Sequence, residues 1–223
     1  MKRLCLALLV WLAPAAAAAQ IAGVPVDALT PDGLERIDVA VPERASHGVR
    51  LTYAAAGQAT PALRIDVLVA ADARAAADAA AWFEQTVAGE LPALAGLGDD
   101  ARGDGGLVAL LRDNVFVVVR SIDGRGGDCR ARAAAIDATL RAAPRGPATS
   151  RARVSVPALA PGLTAVQLPD AVLAAHVAAS GSAAARRTRA GWAVLRRGDG
   201  AWSVRVLAAD RLLRRIEATR TGD

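Results

Sequence analysis

Cys129 is the side chain with the clearest chemical potential in this 223-residue chain. Asp128 precedes it in a position that can cap a helix, and a thiol at a helix N-terminus has a lowered pKa and can act as a nucleophile. However, Cys129 shares one helical face with Ala133, Ile136 and Leu140, which follow at i+4, i+7 and i+11. The pattern therefore favours a buried core cysteine and leaves a reactive one as the alternative.

The histidines, acids and short motifs indicate no further catalytic or metal chemistry. His47 and His176 lie far apart without ligand-like spacing, and we expect His176 to be a packed or surface residue. The acids of the glycine-rich loop 99–104 do not follow the alternating spacing of a calcium loop. No nucleophile elbow, dinucleotide fingerprint or Walker A motif occurs. The sequence thus predicts no metal, no cofactor and no enzymatic activity, with an enzyme that uses an unrecognised site near Cys129 as the alternative.

Arginine is distributed unevenly along the chain. Residues 20–149 carry 13 arginines against 17 acids, a net charge of −4, whereas residues 150–223 carry 12 arginines against 5 acids, a net charge of +7. A basic C-terminal face would attract an anionic envelope component, such as a glycan or a lipid headgroup. Attraction between the two halves, or a solvated arginine surface, explains the same pattern. The candidate binding residues are Arg186, Arg187, Arg189, Arg196, Arg197, Arg214 and Arg215.

Residues 20–145 show the alternation of apolar and polar residues expected of a mostly antiparallel sheet. Asp72 and Asp128 are predicted to cap two helices, and Asp113-Asn114 suits a tight turn between two strands. We expect an α+β unit with both helices on one face of the sheet. The predicted order is βββαββα, with strands near 37–41, 49–53, 63–69, 107–111 and 115–122, one helix after Asp72, and one that begins at Cys129 and stops before Pro144.

Residues 142–150 combine two prolines, a glycine and small polar residues, and they mark a predicted boundary between two units. Short strand-like segments follow, so residues 151–220 are predicted to form a small, mostly-β, sandwich-like domain. Asp199-Gly200 favours a two-residue turn that pairs the segments on either side of it as a hairpin. The segment from Asp210 to Thr219 fits either a short helix or a final strand.

Two segments resemble known families. The stretch GAWSVRVLAADRLLRR, from Gly200 to Arg215, resembles a late hairpin strand of bacterial immunoglobulin-like modules. The stretch LAGLGDDA, from Leu94 to Ala101, is similar to part of the α+β domain of Mog1 and PsbP-type proteins and of small envelope lipoproteins. The first resemblance implies adhesion, spacing or protein contact, and the second implies a binding or accessory role. The chain has no lipobox, so the parallel with the lipoproteins is incomplete.

Residues 1–19 have the composition of a secretory signal peptide. Lys2 and Arg3 precede an apolar run that closes on alanines before Gln20. The run is too short and too rich in alanine for a typical membrane-spanning helix. We therefore expect a periplasmic or secreted, non-enzymatic binding or accessory protein of the cell envelope. Its expected partner is an envelope protein or an anionic envelope component rather than a specific nucleic acid, and dimerisation through edge strands is a further alternative.

Overall fold

Most of the chain forms antiparallel β-sheet, against which two α-helices pack. This mixture of strands and helices agrees with the expected α+β class. The predicted signal peptide and His47 lie outside the described residues. The computed structural model describes residues 20–42, 48–88, 91–156, 158–189 and 191–223.

Residues 34–121 contribute a six-stranded antiparallel sheet with the order β1-β2-β3-β6-β5-β4. Its strands are β1 (Leu34–Ala40), β2 (Val49–Ala55), β3 (Leu63–Val69), β4 (Asp100–Gly103), β5 (Leu107–Arg112) and β6 (Val115–Ser121). The helical segments are a 3-10 turn (Val26–Leu29), α1 (Ala73–Phe83) with a π-helical extension (Glu84–Ala88), and α2 (Cys129–Ala142). The observed order is βββαβββα, so the predicted order βββαββα lacked β4, a short strand that pairs only with β5 at the sheet edge.

The two helices lie on opposite faces of this sheet, which corrects the prediction that they share one face. On β6, Val117 belongs to the cluster that α2 covers, whereas the next residue, Val118, belongs to the cluster under α1. Successive residues of a strand point to opposite faces, so a continuous apolar run such as VFVVV is typical of a strand buried on both sides. Asp72 and Asp128 cap the two helices as predicted.

Asn114 occupies the second position of the tight turn between β5 and β6, where a turn was predicted. Its side chain is fully buried. Its amide accepts a hydrogen bond from the N–H of Ile21 at 2.9 Å and donates to the carbonyl of the same residue at 3.1 Å. It also donates to the carbonyl of Ala70, just after β3, at 2.9 Å. Asn114 therefore attaches the N-terminal segment to the centre of the sheet.

The N-terminal segment, residues 20–30, connects the end of α2 to the C-terminal part of the chain. The N–H of Ala22 donates to the carbonyl of Pro144, and the N–H of Val24 donates to the carbonyl of Leu212, both at 2.8 Å. Val24 is fully buried. The segment is thus a structural strap held at three points along the chain.

Residues 162–222 form two three-stranded antiparallel sheets, with the orders β7-β10-β9 and β12-β11-β8. Both sheets contribute to one buried cluster, in which Val194 of the first lies with Val204 and Val206 of the second. Trp202, Val204 and Val206, at alternate positions of β11, are all buried. The segment from Asp210 to Thr219, for which helix and strand were both open, makes a turn and continues as strand. The strands are β7 (Gly162–Val166), β8 (Val172–Gly181), β9 (Ala183–Thr188), β10 (Gly191–Arg196), β11 (Trp202–Asp210) and β12 (Arg215–Gly222).

The predicted hairpin around Asp199-Gly200 is wrong, because β10 and β11 belong to different sheets. A two-residue primed turn of type I′ needs positive φ at both central residues, but in the loop 197–201 only Gly198 has one, at 74°. The loop is instead bonded to the turn between β8 and β9. The N–H of Arg197 donates to the carbonyl of Ser182 at 2.7 Å, and the N–H of Ser182 donates to the carbonyl of Ala201 at 3.0 Å.

Asp210, at the end of β11, fixes the turn that the N-terminal strap binds. Its carboxylate is buried and accepts hydrogen bonds from the N–H of Leu212 at 2.9 Å and of Arg214 at 3.0 Å. The second carboxylate oxygen accepts from Nε of Arg214 at 2.8 Å and from the hydroxyl of Ser150 at 2.6 Å. One buried acid therefore ties Ser150, in the segment predicted as a boundary, to the turn before β12.

We expect Asn114→Ala to lower the free energy of unfolding by roughly 2–4 kcal/mol, because the buried backbone groups of Ile21 and Ala70 lose their partners. Urea unfolding followed by circular dichroism measures the change. Gln58→Ala is the matched control, since Gln58 is exposed, and it should change stability by less than about 0.5 kcal/mol. Equal stability of the two variants would contradict the role assigned to Asn114.

Candidate functional site

Four of the seven arginines predicted to bind a partner are exposed on the C-terminal sheets. Arg186 and Arg187 lie on β9, an edge strand, and Arg189 follows it. Arg197 lies in the loop after β10. Because β9 and β10 are antiparallel neighbours, Arg189 and Arg197 lie at opposite ends of the pair. These four side chains therefore do not converge on one point.

The other three arginines, Arg196, Arg214 and Arg215, have partners within the protein. Arg196 donates to the carbonyl oxygens of Leu159 and Asp223, at 3.0 and 2.7 Å. Arg214 donates to the carboxylate of Asp210 and Arg215 to that of Glu217, both at 2.8 Å. These contacts hold the ends of strands in place. The seven arginines thus divide between an exposed edge and structural contacts, and their role as a binding surface stays a prediction.

Cys129 is the first residue of α2 and is fully buried, which confirms the interpretation as a core cysteine. Its thiol donates to the carbonyl oxygen of Gly106, 3.2 Å from Sγ. Burial raises the pKa of the thiol, so the nucleophilic thiolate is disfavoured in spite of the helix N-terminus. A catalytic role for Cys129 is disfavoured for the same reason.

His176 is half-buried and packs against Trp192. Its ring, on β8, lies edge-on to the ring of Trp192 on β10, with 5.4 Å between the ring centres. The indole N–H of Trp192 donates to the carbonyl of Ala175 at 3.1 Å. Within the described ranges, no group of three or more His, Cys, Asp or Glu side chains lies close enough to hold a metal ion.

Three acids, Asp66, Asp137 and Asp210, are buried, and each lies against an arginine. Asp137 on α2 accepts hydrogen bonds from Arg112, at the end of β5, and from Arg141, one turn further along the helix. Burial opposes ionisation of Asp137, but these hydrogen bonds outweigh it and hold the pKa of its carboxyl below its usual range. The carboxylate of Asp137 therefore fastens α2 to the sheet and is not available for acid–base chemistry.

A cleft of about 840 Å³ lies between α1 and β12. One wall consists of small side chains of α1 and the segment before it, including Ala71, Ala75 and Ala79. The linker between the units contributes Ser150 and Arg153. The sequence gives no local signal for this cleft, because its walls come from segments more than sixty positions apart in the chain.

The opposite wall of the cleft is formed by β12, through Arg215, Ile216 and Glu217. β12 is an edge strand that pairs only with β11. Among the described residues, no backbone hydrogen bond joins the linker to β12. An edge strand has a row of N–H and C=O groups without a strand partner. Arg214, directly before β12, forms an isolated parallel bridge with Val69 at the end of β3. The cleft therefore combines a wall of small apolar side chains with a strand whose outer edge, beyond that bridge, has no strand partner among the described residues.

Comparison with protein-family models, with curated proteins and with solved structures finds no match to this chain. The resemblances to immunoglobulin-like modules and to Mog1 and PsbP-type domains therefore stay predictions. In the part of the chain that the structure describes, no helix has the length and apolar character needed to cross a membrane.

We expect the thiol of Cys129 to react with a disulfide reagent such as DTNB only when the protein unfolds, because the sulfur is fully buried. The measurement is the labelling rate in buffer and in increasing urea. Cys129→Ser is the control, because the other cysteine of the sequence, Cys5 in the predicted signal peptide, would also react with the reagent if it is present. Rapid labelling of Cys129 in the native protein would show that the thiol is accessible, and would support the alternative that Cys129 is a reactive cysteine.

Asp137→Asn is expected to lower the free energy of unfolding at pH 7 by about 2–3 kcal/mol, because Arg112 loses its buried carboxylate. The folded pKa of Asp137 lies below its unfolded value, so its stabilisation is complete above about pH 4 and is lost as the pH falls further. The difference between the wild-type protein and the variant should therefore shrink below about pH 4. Urea unfolding across this pH range measures it, with exposed Asp78 as the control in Asp78→Asn. A difference that stays constant with pH would contradict the assignment.

Proposed function

We propose that this chain is an exported, non-enzymatic binding protein of the cell envelope that holds an extended segment of a partner protein in the cleft beside β12. The observation that carries the proposal is the position of an edge strand along that cleft. An extended peptide that pairs with such an edge gains main-chain hydrogen bonds, and neighbouring pockets select its side chains. In the proposed site, main-chain hydrogen bonds to an extended segment supply the affinity, and contacts with its side chains supply the selectivity.

The chemistry of the cleft favours a segment with small apolar residues and at least one acid. The wall formed by Ala71, Ala75 and Ala79 has room for side chains, because the alanines leave a wide groove. Glu217 pairs with Arg205 and Arg215, both at 2.8 Å. Arg153 is exposed and has no ion pair among the described residues. Arg153 is thus the charge most available to an acidic side chain of the partner.

The predicted signal peptide and the two family resemblances support the same proposal. We infer that the C-terminal unit is a small sandwich of the immunoglobulin-like kind, and the buried cluster shared by its two sheets supports this inference. Such modules generally serve protein contact. A second copy of the chain is the alternative occupant of the edge of β12, since edge strands also pair with one another.

We expect Ala75→Trp to block the cleft without loss of stability, because Ala75 is exposed and an indole there fills the groove. Ala77→Trp is the matched control, since Ala77 is exposed on the same helix but does not line the cleft. The immobilised proteins are compared for retention of envelope proteins. The proposal predicts proteins retained by the wild type and by Ala77→Trp that Ala75→Trp loses.

Two further measurements identify the occupant of the cleft. Hydrogen exchange should show slower exchange of amides in residues 215–217 when the retained protein is bound. Light scattering should show a monomer. A dimer that Ala75→Trp abolishes would assign the edge to a second copy instead. Retention of the same proteins by the wild type and by both variants would contradict the proposed site.

A further inference from the structure

A second recess, of about 590 Å³, lies on the face of the six-stranded sheet that α1 covers in part. β1, β2 and β3 form its floor, and the loop 122–125 with Thr60 and Pro61 forms its rim. It shares no lining residue with the cleft beside β12. Any ligand of this recess is therefore independent of the proposed peptide site.

Arg64 lines this recess, and a second arginine, Arg120, lies beside it on the next strand, outside the lining itself. Arg64 on β3 is directly opposite Arg120 on β6 in the antiparallel register, so both side chains leave the same face of the sheet. Both residues are half-buried. Like charges directly opposite each other destabilise a sheet, and in the described part of the chain neither arginine has an ion pair with an acid. The fold thus tolerates an unfavourable pair at this position.

The side chain of Arg64 also carries an unsatisfied donor. Its Nε is buried and has no hydrogen-bond partner among the described residues, although Arg64 lines the recess. A buried donor without a partner costs free energy, and such groups are rare in folded proteins. An acceptor that enters the recess would supply the missing partner and separate the two positive charges electrostatically.

The neighbouring charges leave this positive potential in place. Arg50 is held by Asp66 through two hydrogen bonds of 2.8 and 3.3 Å. Arg125 at the rim is paired with Asp123 at 2.7 Å. Asp38 on β1 also lines the recess, but by register it lies beyond Thr52, two strands away from Arg64. The pairs Arg50–Asp66 and Arg125–Asp123 are each neutral. Asp38 is therefore the one remaining acid of the recess, against the two positive charges of Arg64 and Arg120.

We propose that this recess binds a phosphate group, carried by a soluble phosphomonoester or by a lipid headgroup, with Arg64 and Arg120 as its principal donors. A guanidinium presents its N–H groups in a fixed fork that matches two oxygens of a phosphate. Two adjacent forks balance the charge of a phosphate dianion. The ligand would thus satisfy Nε of Arg64 and remove the repulsion across the strands.

The test measures thermal unfolding and calorimetric binding with inorganic phosphate at constant ionic strength, against chloride. The wild-type protein and Arg74→Gln, an exposed arginine of α1 used as the control, should both bind phosphate and gain thermal stability. Arg64→Gln and Arg120→Gln should each weaken binding by at least about tenfold. Without phosphate, both variants should unfold at the wild-type temperature or above it, because the like-charge contact is gone.

A purely structural role for these arginines would lower the unfolding temperature without phosphate and leave the phosphate response unchanged, which would overturn the proposal. Equal phosphate binding by all variants, or none by the wild type, would also overturn it. If Arg64→Gln fails to fold, Arg120→Gln and Arg64→Lys give the same comparison, since lysine keeps the charge but lacks the fork.

The source of the phosphate is decided by two further probes. Glycerol 3-phosphate is compared with phosphatidylcholine vesicles that contain phosphatidic acid. Binding of the soluble ester with the affinity of the vesicles supports a soluble ligand, whereas binding of the vesicles alone, lost in Arg64→Gln, supports a lipid headgroup. Vesicle binding that persists in both glutamine variants would overturn the assignment to this recess.

Discussion

The buried amide of Asn114 is the contact on which the arrangement of the two units depends. It holds both backbone polar groups of Ile21 and the carbonyl of Ala70 at 2.9–3.1 Å, and so fixes the N-terminal strap to the central strands. The strap continues to the carbonyl of Leu212 in the turn that Asp210 organises. Because that turn leads directly into β12, the amide in the sheet contributes to the position of one wall of the cleft. A packing constraint in the core thus determines the geometry of a surface site.

The second constraint on the fold is the pairing of buried aspartates with arginines. The buried carboxylates of Asp66, Asp137 and Asp210 are each matched by an arginine, because a buried charge without a partner is costly. Arg64 and Arg120 are half-buried arginines without an ion pair among the described residues, and they lie next to a matched pair on the same sheet. The proposed phosphate ligand would supply the negative charge that this pair of arginines lacks.

The sequence was sufficient for features that depend on local patterns and insufficient for those that depend on distant partners. The helix caps at Asp72 and Asp128 and the turn at Asp113-Asn114 were predicted, because neighbouring residues determine them. The hairpin at Asp199-Gly200 was wrong, because Ser182, a residue far away in sequence, takes the hydrogen bonds of that loop. The cleft and the recess could not be predicted, since each is assembled across strands whose order the pattern of residues does not specify.

The charges on the edge strands favour β12 over β9 as the edge for the proposed partner. β9 carries Arg186 and Arg187, and Arg189 follows it, so a second copy of this edge would bring like charges together. On β12, Glu217 lies 2.8 Å from Arg215 and from Arg205, which lowers the positive charge of this edge, and the edge runs beside a groove walled by small side chains. Strand addition at β9 is therefore opposed by electrostatic repulsion, whereas at β12 the backbone is accessible without that cost. The arginines that suggested a binding surface therefore disfavour strand addition at β9.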